Sequence, residues 1–537
     1  MPIRHAGHGG LQLADAVREL YREGQTDYAL EPLVRSDESG KPVGLVKDGD
    51  AVVFCCRRGE REVELTEAFT DADFPHFPRP EFDKLNFIIL TLYHEKFKDL
   101  PVAFAPTKIS ATLGEAVSRA GLSQYHVAES EKFAHVTFFL NGGNNQPFAG
   151  EEDVRVPSPR GVPPDQVPEL SLPQVAENVI RTLQQKRQDL IVTNFANGDV
   201  VGHTANCEAK IRCAEVVDTH LRKVVEAAIA GDYVVLVTAD HGNLEEMLTR
   251  EGTAHVSHTT NLVPLILIDP RAAAPLTLND GQLADIAPTL LSALAVAKPD
   301  AMTGANLAPG HAWGGRRRAL LVILDGWGIG RPDETNPIHL ARTPYWESLL
   351  KRFPPAHLRA SGEAVGLQAE KAGNSEAGHM NIGAGRVVLQ DDVRLDRSLK
   401  DGSFFTNDIF LRAMQDVRER GAGLHLIGLL SEKSSHGSIE YPLALLKMAR
   451  ENGLQDVYLH LIFDGRSTEP GSAPALLEKL EGMLAGIGVG QIVTGMGRGI
   501  ALDRDRNYAR IERAYDALVR GVGRTYTVKE EMISYEP

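Results

Sequence analysis

Short apolar runs alternate with amphipathic stretches along most of the chain. Residues 11–23 (LQLADAVRELYRE) place apolar side chains at helical spacing, and so do 175–187, 205–229 and 284–296. Between them lie runs of strand length: 51–54 (AVVF), 86–93 (NFIILTLY), 102–104 (VAF), 135–140 (HVTFFL), 189–195 (DLIVTNF), 233–240 (YVVLVTAD) and 262–269 (LVPLILID). After residue 318 the rhythm resumes with RALLVILDGWG, LHLIGLL, VYLHLIFDG and a helix around 505–520. Apolar strands alternating with amphipathic helices predict an α/β fold with a mostly parallel sheet and helices on both faces. Residues 74–82 (FPHFPRPEF) read as a proline-broken connector. Residues 305–318 (ANLAPGHAWGGRRR) read as a linker whose arginines are solvated, and the tail KEEMISYEP as polar and frayed.

At 537 residues the chain is too long for one ordinary core, so two domains are expected. The net charge of -15 argues against general nucleic-acid binding and makes any local knot of arginines more informative. The four cysteines form neither a disulfide framework nor a zinc knuckle and suit a reducing compartment. The opening residues MPIRHAGHGG lack the apolar core of a signal peptide, and no apolar run is long enough to span a bilayer. A cytoplasmic protein without a membrane partner is expected.

The candidate chemistry centres on 371–386 (KAGNSEAGHMNIGAGR), where Ser375 stands among small residues that leave room for a bulky anion. It is not in a G-x-S-x-G elbow and has no basic neighbour in sequence, so its activator must come from elsewhere. Hard ligand residues sit where apolar strands stop: Asp199 and His203 after DLIVTNFAN, Asp240 and His241 after YVVLVTA, Asp325 after RALLVIL. His258 lies just before LVPLILID. In an open α/β sheet, sites collect at the carboxyl ends of strands. Asp199 and His203, at i and i+4, would share one side of a helical turn. Aspartate and histidine ligands suit manganese, zinc or magnesium. Two such cations would stabilise phosphoryl transfer and acidify the Ser375 hydroxyl. A second, basic group comprises Arg58, Arg61, Lys132, Arg466, Arg498 and Arg504, whose charges fit phosphate and carboxylate oxygens.

At these residues the chain resembles the cofactor-independent (2,3-bisphosphoglycerate-independent) phosphoglycerate mutases of the alkaline phosphatase superfamily. ILDGWGIG, AGNSEAGHMNIGAGRVV, FDGR, GRGIALDRD and ERAYDALVRG, within 319–523, resemble the first part of that family. DGDAVVFCCRRGER, SEKFAHVTFFLNGG, NFANGDVVGH, TADHGN and SHTTNLVP, within 49–265, resemble its last part. The order is reversed, as in a circular permutation with the old termini joined through 305–318. The resemblance implies a metal-binding domain over 102–389 and a discontinuous substrate domain over 11–101 and 390–527. It implies one metal site of Asp199, His203 and His258 and another of Asp325, Ser375, Asp240 and His241. Ser375 would be phosphorylated and return the group. His436, Arg466, Ser467, Arg498, Arg504, Arg58, Arg61 and Lys132 match substrate positions. The implied reaction interconverts 3-phosphoglycerate and 2-phosphoglycerate in a monomer with two divalent ions, Mn2+ first and Zn2+, Co2+ or Mg2+ next, without 2,3-bisphosphoglycerate. Domain closure is expected to exclude water. The departures fall in the substrate half. Ser467 replaces the usual aspartate after Gly465-Arg466, SEKSSHGS replaces SDGGVHSH, and 56–61 reads CRRGER. They leave a metal-dependent phosphomonoesterase, or a mutase of another small phosphorylated acid, as the alternative.

Overall fold

The apolar strands pair with one another in parallel, and they do so in two separate sheets. The computed structural model describes residues 4–57, 61–106, 109–249, 251–432, 434, 436–528 and 530–532. The chain divides into two units, one of Met1–Pro106 and Arg394–Pro537 and the other of Thr107–Val393. Each holds one eight-stranded sheet.

In the 107–393 unit the strand Arg318–Leu324 lies between Leu190–Phe195 and Tyr233–Thr238, parallel to both. Leu320 pairs with Ile191 on one side and Val235 on the other. Gln124–Glu129 and then the edge strand Glu151–Val156 extend the parallel set beyond Leu190–Phe195. Val263–Ile268 joins Tyr233–Thr238 antiparallel. The three central strands, Leu190–Phe195, Tyr233–Thr238 and Arg318–Leu324, are mostly apolar and almost entirely buried, as a parallel sheet covered on both faces requires. Residues from 113 to 382 share one continuous apolar core.

In the other unit Ala51–Phe54, Leu424–Leu430, Val457–Phe463 and Gln491–Gly497 form the parallel centre of the sheet. Ala51, Val53 and Cys55 enter the core on one face, while Val52, Phe54 and Cys56 enter the core on the other. This is the two-residue alternation of an extended chain. All four cysteines are unpaired.

Four sequence expectations need correction. The run HVTFFL is not a strand: His135–Phe139 is a π-helical turn. It connects Gln124–Glu129 to Glu151–Val156, which pair in parallel, so the chain must return by a crossover that leaves this segment no ladder partner. Val102–Phe104 pairs with Asn86–Thr91, so it belongs to the first unit and not to the start of the metal-binding one. Residues Glu530–Met532 of the tail are not frayed but pair antiparallel with Arg4–Ala6. The linker arginines are not all solvated. Arg317 is buried, ion-paired to Asp269 at 2.5 Å and Asp232 at 3.0 Å, and its backbone N–H donates to the Ala293 carbonyl. The rest of the linker is docked too: the Leu307 amide donates to Thr289 Oγ1 and Trp313 Nε1 to Ser292 Oγ.

Removing one partner of a buried ion pair strands the other's charge. Arg317→Ala should therefore destabilise the 107–393 unit by about 3 kcal/mol, read as a lower midpoint in urea denaturation. An unchanged midpoint would show that His311, which also meets Asp269 at 3.0 Å, holds that carboxylate alone.

Candidate metal centre

The strands Leu190–Phe195, Arg318–Leu324 and Tyr233–Thr238 run side by side in one direction, so the acids just past them arrive together. Asp325 follows its strand directly, and Asp240 follows its own after Ala239. Asp199 is carried one turn further by the short helix Asn197–Gly202, with His203 as its C-cap. The packing is close: a Cβ on Gly198 would lie 2.4 Å from the Asp325 carbonyl oxygen. Ser375 does not sit in an open turn. It begins the helix Ser375–Ala384, with the Asn374 side chain capping the Ala377 amide, so its hydroxyl stands at the positive end of a helix. That helix approaches the strand ends through Gly378, where a Cβ would lie 2.6 Å from the Asp240 carbonyl oxygen and 2.8 Å from its Cβ.

Two groups of ligand atoms result. His203 Nε2 lies 3.2 Å from Asp199 Oδ1 and 3.0 Å from His258 Nε2, and His258 Nε2 lies 3.0 Å from Asp199 Oδ1. In the second group the Ser375 hydroxyl is 2.9 Å from His241 Nε2 and 3.2 Å from Asp325 Oδ1. His241 Nε2 lies 3.5 Å from Asp240 Oδ2 and 3.4 Å from Asp325 Oδ1. Asp199, His241 and His258 converge within metal-binding reach, as do Asp240, His241 and Asp325, so His241 stands between the groups.

The donor set fits cations. Each of the three imidazoles turns Nδ1 to a backbone carbonyl: His203 to Val256, His258 to Gly373 and His241 to Gly242. A neutral ring that donates there presents a lone pair at Nε2. Two such lone pairs and a carboxylate oxygen then face one another about Asp199 with no proton between them, an arrangement a cation resolves. Asp240 Oδ2 is buried without a hydrogen-bond partner among the described residues. Burial alone would lower the His241 pKa, but Asp240, with Asp325 and Asp199, pushes it up to about 9. Burial would raise Asp199, yet Lys132 and the histidines hold it well below the usual carboxylate range. Both shifts express the same demand for positive charge. The carboxylates are oriented from behind: Asn194 donates to Asp325 Oδ2 at 2.6 Å and Asn243 to Asp199 Oδ1 at 3.0 Å.

Lys132, matched by resemblance to a substrate position, occupies the middle of this centre. Its buried Nζ donates to Ser375 Oγ at 2.6 Å, Asp199 Oδ2 at 2.7 Å and Asp325 Oδ1 at 2.9 Å. Burial would lower its pKa, but Asp325, Asp199 and Asp240 outweigh this and keep the ammonium charged. Sequence reasoning left out Asn194, Asn243 and His379. His379 was the most accessible to it, one turn beyond Ser375, with Nδ1 2.9 Å from the Ser375 carbonyl oxygen.

The remaining described candidates belong to the other unit. Arg498 is buried against Asp464, and its Nε has no hydrogen-bond partner among the described residues. Ser467 is exposed and donates its amide to Asp464 Oδ2 at 3.2 Å, so a carboxylate stands three residues before the position where the resemblance lacks one. Arg466 and Arg504 are exposed. Arg61 is buried and donates to the Leu502 carbonyl at 3.0 Å. His436 Nδ1 meets the fully buried Glu62 at 3.1 Å. Arg58 lies outside the described residues.

Histidine and aspartate sets at the strand ends of a parallel sheet, around a hydroxyl at a helix start, define a metal-dependent enzyme class. The chain belongs to the metalloenzyme superfamily, whose profile matches residues 11–298. The profile described as the BPG-independent PGAM N-terminus matches residues 395–536, at the far end of this chain. Among curated relatives, the 2,3-bisphosphoglycerate-independent phosphoglycerate mutase of Syntrophotalea carbinolica is 45% identical over 296 residues, 55% of this chain and 57% of its own. That of Salinibacter ruber is 44% identical over 298 residues, 55% of this chain and 56% of its own. The chain thus spans little more than half the length of these relatives. A solved Leishmania mexicana phosphoglycerate mutase, crystallised at low cobalt concentration, is 31% identical, covering 50% of this chain and 52% of its own with a TM-score of 0.39.

The Gly378 contact makes a prediction. Gly378→Ala should push the Ser375 helix off Asp240 and weaken metal binding about 10-fold or more, as disturbing a ligand's support commonly does. Calorimetric titration of the metal-stripped protein would measure it, and an unchanged affinity would show that the helix can shift without moving Asp240.

Proposed function

We propose that the protein interconverts 3-phosphoglycerate and 2-phosphoglycerate through a phosphoserine at Ser375. The observation that carries this reading is the Ser375 hydroxyl held at 2.6 Å by Lys132 and 2.9 Å by His241, between two ligand groups. The relatives' printed names and the profile matching 395–536 support the choice of substrate.

Asp199, His203 and His258 would hold one cation, and Asp240, His241, Asp325 and Ser375 another. When bound, such ions supply charge to the phosphoryl oxygens and lower the pKa of the serine hydroxyl. Ser375 Oγ attacks phosphorus as the bond from phosphorus to the ester oxygen breaks, and the serine proton passes to that departing oxygen, giving phosphoserine and glycerate. The second hydroxyl of glycerate then attacks the phosphoserine and restores Ser375. Lys132 stays charged beside Oγ and offsets the negative charge that develops there. The start of the Ser375 helix favours the same charge. We assign recognition of the small acid to Arg466, Ser467, Arg498, Arg504, Arg61, Arg58 and His436. We further propose two Mn2+ ions as the working metals, with no requirement for 2,3-bisphosphoglycerate, and a cytoplasmic monomer. No helix among the described residues is long and apolar enough to cross a membrane. The reversed order of the matched segments we read as a circular permutation.

Ser467 gives a second reading specific support. Its hydroxymethyl group replaces the carboxylate expected after Gly465-Arg466, which favours hydrolysis if glycerate is poorly held. Product analysis separates the two: 3-phosphoglycerate should yield 2-phosphoglycerate, and release of inorganic phosphate instead would establish the phosphomonoesterase. Ser375→Ala should lower turnover by roughly 10⁴-fold or more, as loss of a nucleophile does. A chelator should abolish activity and added Mn2+ restore it, whereas activity unaffected by chelation would remove the metals from this account.

A further inference from the structure

A third cluster of ligand groups lies in the same sheet, at the edge formed by Gln124–Glu129 and Glu151–Val156. His126 is directly opposite Asp153 in the parallel register, and Glu151 is two residues before Asp153 on the same face. The three side chains offer ligand atoms within 4.8 Å of one another. His126 Nδ1 lies 3.3 Å from Glu151 Oε1 and 3.9 Å from Asp153 Oδ1. His126 is fully buried, yet neither of its ring nitrogens makes a well-formed hydrogen bond among the described residues. The same holds for Asp153 Oδ1, Asn141 Oδ1 and Gln124 Oε1, all buried polar atoms. Such atoms are costly to leave unpaired, and one nitrogen of the neutral His126 ring with the three oxygens presents four lone-pair atoms that point to something that accepts them.

No lysine or arginine among the described residues forms an ion pair with Glu151 or Asp153. Burial and mutual repulsion push the Asp153 carboxyl up to about 6, and burial pushes the Glu151 carboxyl up as well. Burial also pushes the His126 imidazole down to about 4, so it is neutral and available as a ligand near pH 7. Two carboxylates, one neutral imidazole and nearby amide oxygens suit a divalent transition ion such as Mn2+ or Zn2+. Asp153 keeps 15% of its side chain exposed at the sheet edge, which gives the ion a way in.

We propose that His126, Glu151 and Asp153 bind a third divalent cation, separate from the centre around Ser375. Its place suggests its work. The residues between the two strands, 130–150, include both Lys132 and Asn141, and Asn141 Nδ2 donates to Glu151 Oε1 at 2.6 Å. A cation here clamps both ends of the segment that delivers Lys132 to Ser375. It is a positioning site and touches no reacting atom.

The test is a count of ions retained after the metal-stripped protein is loaded with Mn2+ or Zn2+ and gel-filtered. The Asp199→Asn/Asp240→Asn variant, which disables the centre around Ser375, should still retain one ion per chain. Retention of none would overturn the proposal and leave the reading of the Ser375 centre intact. His126→Ala/Asp153→Asn should retain one ion fewer than the unsubstituted protein. An equal count would mean that Glu151 and Asp153 share a proton and bind no cation. If that pair of changes prevents folding, Asp153→Asn alone, nearly the same in volume, should weaken the third ion's binding by about 10-fold or more. Unchanged binding there would also overturn the assignment.

Discussion

The fold of the 107–393 unit is built around a repulsion. Parallel strand ends bring Asp199, Asp240 and Asp325 around His241 and Lys132, and like charges repel by roughly 4 kcal/mol for a pair about 4 Å apart even at an effective dielectric constant of 20. A stable fold would not gather them without something positive in their midst. Lys132 fills part of that need through two carboxylate contacts and one hydroxyl contact from a single ammonium. The imidazoles fill another part, and the raised pKa of His241 records how strongly the site calls for charge. What remains is the share that bound cations take. The Ser375 hydroxyl is thus placed where positive charge relieves the repulsion between the acids.

That arrangement depends on which strands neighbour one another, not on the order in which the chain visits them. Arg318–Leu324 enters the sheet after residue 305, yet it occupies the centre between two strands formed far earlier. A chain can reach this arrangement from either order, because joining ends that already lie close costs little closure entropy. The connection is then made specific by burial. Arg317 locks onto Asp269 and Asp232 just before the central strand begins, and Trp313 and Leu307 anchor the preceding loop. A sequence rich in glycine and arginine reads as a solvated tether, and only the fold reveals the acids waiting for one of those arginines.

The legible parts of the sequence were those in which local pattern and tertiary role agree. Apolar strands ending in acids announced both the parallel sheet and the convergence of Asp240 and Asp325, and the spacing of Asp199 and His203 announced their shared helical turn. Misreadings arose where tertiary context overrode local preference. The β-branched and aromatic residues of His135–Phe139 suit a strand, but the segment serves as a crossover and curls into a π-helical turn. Lys132 looked like one more scattered cation, since nothing in its neighbourhood tells that its ammonium crosses to Ser375. Ser375 itself sat among turn-forming residues, and its place at a helix start depends on Asn374 capping Ala377.

The strands that pattern reading missed are the most instructive. Gln124–Glu129 (QYHVAE) is buried at all six positions, and Glu151–Val156 (EEDVRV) lies at the sheet edge. Neither is apolar enough to be picked out by hydrophobicity. A buried strand carrying Gln124, His126 and Glu129 pays a desolvation cost that an apolar sequence would avoid. Glu129 recovers it through Ser158 and the Ser171 amide, at 2.8 and 3.1 Å. His126 finds no well-formed hydrogen bond among the described residues, and its neighbours on the edge strand add like charges to the deficit. The polar interruption that hides these strands from pattern reading is therefore the same feature that marks the edge as a place for a cation. Where a buried element violates the hydrophobic rule and its polar groups find no protein partner, the balance must be restored by something that is not protein.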